Sequence, residues 1–141
     1  MKTILVLFFC GIFPCLCIAQ SKDDVAVRNI LQQQTTSWNA GNIESFMQGY
    51  WHNDSLMFIG KSGITYGWQK TLDNYKKNYP DASAMGKLDF TIIEMKKLSP
   101  QYYFVVGRWH LARIAGDLSG YFNLLFKKMG NTWFIITDHS S

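Results

Sequence analysis

The runs QYYFVVGRWHLAR (Gln101–Arg113), GYFNLLFKK (Gly120–Lys128) and TWFIITDHS (Thr132–Ser140) decide the fold. Each is rich in aromatic and β-branched residues, the composition that suits a pleated, half-buried surface. Ala115-Gly116-Asp117 and Gly130-Asn131 separate them and read as turns. A fourth extended run, Leu88–Leu98, precedes them across Ser99-Pro100. Four successive strands with short connections predict an antiparallel meander.

Upstream of Lys87 the period is helical. Val27, Ile30, Leu31, Gln34 and Trp38 recur at the spacing of one helix face, behind a capping cluster of Ser21, Asp23 and Asp24. Gly41 supplies the stop. A short second helix is predicted from Ile43 to about Tyr50. A strand over Ser55–Ile59 turns through Gly60-Lys61-Ser62-Gly63 into a brief return strand, Ile64–Tyr66. A third helix runs from Trp68 to about Asn78 and stops before Pro80, whose predecessor is forced out of helical geometry. Helices first and a long meander afterwards is the α+β pattern, a single curved sheet with helices on its concave face.

The extreme N-terminus reads as a leader. Lys2 gives a positive charge, an apolar run spans Ile4 to Ile18, and Cys17-Ile18-Ala19 is a small-x-small cleavage site before Gln20. Pro14 breaks the run, which is short for a membrane span of ~20 residues. Leu16 before Cys17 and Pro14 before Cys15 argue against a lipid-modified cysteine. The expectation is a signal peptide over 1–19 and one domain over 20–141, secreted or periplasmic, with no membrane attachment after cleavage. All three cysteines (Cys10, Cys15, Cys17) fall in the leader, so the remaining chain has no disulfide or thiol chemistry. Its net charge falls from +4 to +3 with the loss of Lys2. The lysines are scattered (Lys61, Lys70, Lys76-Lys77, Lys96-Lys97, Lys127-Lys128), without the clustered basic face that nucleic acid requires. His52, His110 and His139 show no metal-ligand spacing, and no cofactor is implied. Asp138-His139-Ser140 is contiguous, so its side chains alternate between faces and form no nucleophilic triad.

Five stretches, in order, resemble the nuclear transport factor 2-like (NTF2-like) superfamily in its SnoaL-like branch of domains of unknown function. They are Trp38-Asn39-Ala40-Gly41-Asn42 with Phe46 and Tyr50; Gly67 after Tyr66; Val106-Gly107-Arg108-Trp109; Gly120 through Phe126-Lys127-Lys128; and Trp133-Phe134-Ile135-Ile136 running into Asp138-His139-Ser140-Ser141. The resemblance covers the whole chain after the leader. It implies a cone-shaped, curved antiparallel sheet wrapped around the N-terminal helices, the roll also called cystatin-like. The ending is similar to the association domain of calcium/calmodulin-dependent protein kinase II, whose basic pocket positions align with Arg108, Asn123 and Ser140.

Strict alternation puts Phe134, Ile136, Asp138 and Ser140 on one face of the last strand and Trp133, Ile135, Thr137 and His139 on the other. The registration implied by the resemblance turns Arg108, His110, Asn123 and Asp138 into the cone as a polar floor. Trp38, Tyr50, Phe58, Tyr66 and Trp68 are the expected aromatic wall. Arg108 pairs with Asp138 structurally, or anchors an anionic or carbonyl group of a ligand. His110 and Asp138 are the acid/base candidates. Trp109, Leu111, Phe122 and Leu124 then fall on the outer sheet face and predict a homodimer. In the ketosteroid isomerases of this superfamily the proton-shuttling carboxylate aligns with Phe58 or Ile59 and the oxyanion-binding tyrosine with Gln34, so that chemistry lacks its groups here. The leading expectation is a binding domain for an unidentified small molecule. The alternatives are a small lyase, isomerase or hydrolase using the same pocket, and a homo-oligomeric assembly module.

Overall fold

The computed structural model describes residues 21–141; the leader expected over 1–19 lies outside the described residues. The chain runs α1 (Lys22–Asn39), α2 (Ile43–Met47), β1 (Met57–Gly60), β2 (Gly63–Tyr66), α3 (Trp68–Asn78), α4 (Ala82–Met85), β3 (Lys87–Ser99), β4 (Tyr102–Ala112), β5 (Leu118–Met129) and β6 (Thr132–Ser140). Ser21 caps α1 by accepting from the Asp24 N–H at 3.1 Å, and Asn42 caps α2 by accepting from Ser45 N–H at 2.8 Å. Val27, Leu31, Gln34 and Trp38 are the buried stripe of α1. The turn α4, capped by Asp81, has no counterpart in the sequence reading because a single turn shows no periodicity.

The strands form one sheet in the order β2-β1-β6-β5-β4-β3. The meander β3–β6 is antiparallel as expected. The sheet as a whole is mixed, because β1 runs parallel to β6, with Phe58 opposite Asp138. Local alternation cannot show a pairing between strands so distant in sequence. The segment from α3 to α4 carries the chain from the β2 edge to the β3 edge, and the meander brings β6 back beside β1.

Alternation on the meander is set by burial. On β4 the inward residues are Tyr103, Val105, Gly107, Trp109 and Leu111; on β5 they are Gly120, Phe122, Leu124 and Phe126. These pack against α1 to α3 in one core with Val27, Leu31, Trp38, Phe46, Met47 and Leu72. On β6 the register slips: Phe126 faces Ile135, but Leu125 faces Thr137, leaving Ile136 as an extra residue. Such a bulge reverses the parity of everything beyond it. Trp133 and Ile135 before the slip, and Asp138 after it, therefore all face inward.

Side chains tie the helices to the sheet at both ends. At one end, the Asp23 carboxylate accepts from Lys97 and Lys128, each at 2.8 Å, and from Trp133 Nε1 at 3.3 Å. At the other, Asn39 brackets Leu88, donating to its carbonyl at 3.0 Å and accepting from its N–H at 2.7 Å. Trp38 Nε1 donates to Met85 O at 3.1 Å.

Candidate functional site

Between α1, α3, the β1–β2 turn and the inner face of the meander lies a cavity of about 550 Å³. This is within the range of small-molecule sites, roughly 300–1,000 Å³. Its wall is aromatic, and Tyr75 is the hub: it meets Phe46, Phe58 and Trp38 edge-on, with ring centroids 5.3, 5.7 and 6.0 Å away. Edge-to-face contacts of this kind fix the ring positions as well as burying area. A smaller cleft of about 230 Å³ beside α4 is lined by Arg113, whose guanidinium is already committed to the carbonyls of Gly116 and Ala84.

The polar end of the cavity is built from three elements. Asp138, 3% exposed on β6, accepts at Oδ2 from Tyr50 Oη at 2.6 Å and at Oδ1 from Ser140 Oγ at 2.6 Å. Tyr50 Oη in turn lies 3.4 Å from Tyr75 Oη on α3. Loss of hydration raises the Asp138 carboxyl from an ordinary 3.8 to about 6, against the opposing pull of the Ser140 and Tyr50 hydrogen bonds and of nearby His139. Burial and then the neighbouring carboxylate push the Tyr50 and Tyr75 phenols well above their usual range. A carboxyl titrating near neutrality can give or take a proton under physiological conditions.

The structure separates the residues grouped by the sequence reading. Trp38, Tyr50, Phe58 and Asp138 line the cavity. Arg108 is exposed on the outer sheet face, 3.4 Å from Ser119 Oγ, and makes no pair with Asp138. His110 is on the same outer face and contacts Asp117 at 2.9 Å. Asn123 also faces outward, opposite Val106 and His139. The reason is common to the three: on β4 and β5 the apolar set claims the inward parity, so Arg108, His110 and Asn123 take the other. By the same parity Leu111, Phe122 and Leu124, expected outside, are core residues at 2–4% exposure, and Trp109 also faces inward. Tyr66 is 59% exposed and outside the cavity. Trp68 is buried beneath α2, donating to Met47 O at 2.9 Å and stacked by His52 at 4.0 Å. Ser140, aligned with a pocket position of the association domain, does line the cavity, and Tyr75 and Tyr79 are cavity residues that the sequence did not single out. Trp68, Thr71, Leu72, Tyr75 and Tyr79 follow helical spacing, and extending that stripe would have placed both tyrosines on the buried face.

No family model matches the sequence, and no curated protein matches it. Among solved structures, an NTF2-like protein of unknown function from Shewanella oneidensis MR-1 is 44% identical, with 84% of this chain and 98% of that one covered at a TM-score of 0.81. This chain belongs to the NTF2-like proteins. Two remoter structural neighbours, both 14% identical at a TM-score of 0.67, are a ketosteroid isomerase-like protein from Erwinia carotovora atroseptica SCRI1043 and a protein named for the calcium/calmodulin-dependent protein kinase II association domain from Xanthomonas campestris. The first match covers 86% of this chain and 97% of that one; the second covers 88% and 89%.

Proposed function

We propose that this NTF2-like chain is a binding domain for a small, neutral, largely apolar molecule held in the cavity between Tyr75 and Asp138. The observation that carries this is the buried Asp138 at the end of an aromatic cavity. Among the described residues no lysine or arginine pairs with it, so its environment favours neutral ligands over anions. Trp38 and Trp109 line the space, so ligand entry is expected to change tryptophan fluorescence and raise the melting temperature saturably. A screen of naphthalene-sized alcohols, ketones and carboxylates tests it. Saturable shifts confined to carboxylates, or no saturable shift with any probe, would refute the reading.

Acid/base catalysis in the same cavity is the second reading, favoured by the Asp138 carboxyl held at about 6. It requires that turnover of any substrate found be lost in Asp138→Asn. We also propose export directed by the leader over 1–19, with residues 20–141 as the mature domain. The outer face of the meander carries Phe104, Val106, Leu125 and Phe134, half-buried and without a helix over them among the described residues. A second copy of this chain is its proposed partner, in keeping with the association-domain neighbour.

A further inference from the structure

Tyr75, Tyr50, Asp138 and Ser140 form an unbranched chain of hydrogen bonds: Tyr75 to Tyr50, Tyr50 to Asp138, and Ser140 to Asp138. Its two ends, Tyr75 and Ser140, are the more exposed members and line the cavity, whereas Tyr50 and Asp138 are each 3% exposed. A ligand therefore meets the ends of the chain before it meets the carboxylate.

The protons can be counted. An ionised carboxylate only accepts, so Tyr50 and Ser140 must each donate to Asp138. Tyr50 has then spent its single proton, and its contact with Tyr75 can be satisfied only by donation from Tyr75. Three hydroxyl protons fill three links, and both ends turn lone pairs toward the cavity. When Asp138 takes up a proton there are four protons for the same three links. One end, Tyr75 or Ser140, is then left with an O–H directed at the ligand. Three other wall donors are engaged, Gln34 Nε2 with Phe46 O, Thr71 Oγ1 with Gly67 O, and Trp38 Nε1 with Met85 O, whereas Lys61, Asn78, Tyr79 and Ser119 line the cavity outside this chain of hydrogen bonds. The Trp109 indole N–H has no partner among the described residues, but it has essentially no accessible surface and does not reach the space.

We infer that the Tyr75–Ser140 end of the cavity is a subsite for a hydrogen-bond donor, taking the hydroxyl of a neutral aromatic or alicyclic alcohol while Asp138 is ionised, and accepting a ketone only with uptake of one proton. This rests on the cavity being a small-molecule site. The groups around Asp138 are consistent with its acting as the proton acceptor of the chain. Tyr50 and Tyr75 face it from the helical side, Phe58 of β1 and Leu124 of β5 flank it on the sheet without charge, and the neighbouring β6 residue His139 lies on the outer face.

The test uses the full mature chain and two probes of similar size and shape, 2-naphthol and 2-acetylnaphthalene, titrated by tryptophan fluorescence on either side of the Asp138 transition. 2-Naphthol is expected to bind more tightly on the alkaline side, and 2-acetylnaphthalene on the acid side. Each preference should be on the order of fivefold, the worth of one hydrogen bond. Asp138→Asn should abolish both pH dependences, and Tyr50→Phe, which interrupts the chain but keeps the ring, should weaken them if the Asn variant does not fold. Binding of both probes with parallel pH profiles overturns the inference and leaves the binding reading intact. Binding of neither probe at any pH overturns both.

Discussion

Asp138→Asn removes a titrating group from the core while keeping its size, and its effect on stability should depend on pH. Folding moves the carboxyl from an ordinary 3.8 to about 6 because burial removes water from the charged form. The folded chain therefore holds the proton more tightly than the unfolded chain. The resulting stabilisation is fully present below about 3.8 and is lost as pH rises through about 6. At about 1.4 kcal/mol per pKa unit, that interval corresponds to about 3 kcal/mol. Asp23, Asp117 and Glu44 act in the opposite sense, since lysine partners at Asp23 and Glu44 and His110 at Asp117 hold those carboxyls below their usual range. Their stabilisation is lost as pH falls. The difference between wild type and Asp138→Asn cancels them. Urea unfolding of both proteins at about pH 4, where the unfolded carboxyl is already half ionised, and about pH 7.5 should show that difference moving by about 2.5 kcal/mol in favour of the Asn variant at the higher pH. A difference that stays constant, or moves in favour of wild type, would mean that Asp138 is not desolvated and that the cavity is wetter than described.

Three further outcomes are expected. Gly107→Ala places a Cβ 2.2 Å from Phe122 Cζ, inside the core, and should lower stability by about 1–3 kcal/mol in urea unfolding; a neutral result would show that Phe122 can swing aside. Arg108→Ala should change stability by no more than about 0.5 kcal/mol and leave probe affinity unaltered, whereas a loss of several kcal/mol would restore the buried ion pair with Asp138. If the proposed homodimer forms through the outer face, Leu125→Lys on β5 should leave the melting temperature close to wild type and halve the mass measured by light scattering; an unchanged mass would refute that proposed contact.

The order and type of the long elements were legible because their signals are local. The stripe of α1, the Gly41 stop, Gly60-Lys61-Ser62-Gly63, and the limits of α3 all follow from spacing or turn chemistry within a few residues. The β1–β6 pairing was not legible, because nothing near Phe58 announces Asp138 as its neighbour. The site was read less well than the fold for a related reason. A strand such as Val105-Val106-Gly107-Arg108-Trp109-His110-Leu111 offers apolar residues at both parities, and alignment with basic positions in a distant relative selects the wrong face. Burial makes the choice differently: Tyr103, Val105 and Leu111 are 0–3% exposed, and Gly107 is small because Phe122 lies over it.

Asp138 faces the interior, as the resemblance implies, but for a different reason, and the difference bears on function. Strict alternation grouped it with Phe134 and Ile136 and opposed it to Trp133 and Ile135. In the fold, Trp133 and Ile135 form core while Phe134 faces outward, so an unbroken strand would have sent Asp138 to the outer face beside Phe134. The extra residue at Ile136 reverses the parity, and one strand thereby supplies apolar packing at its beginning and two polar groups, Asp138 and Ser140, to the cavity at its end. Without the bulge the cavity would lose its only described buried carboxylate, and with it both the proton acceptor of the Tyr75–Tyr50–Asp138–Ser140 chain and the group that sets which ligands the chain can meet.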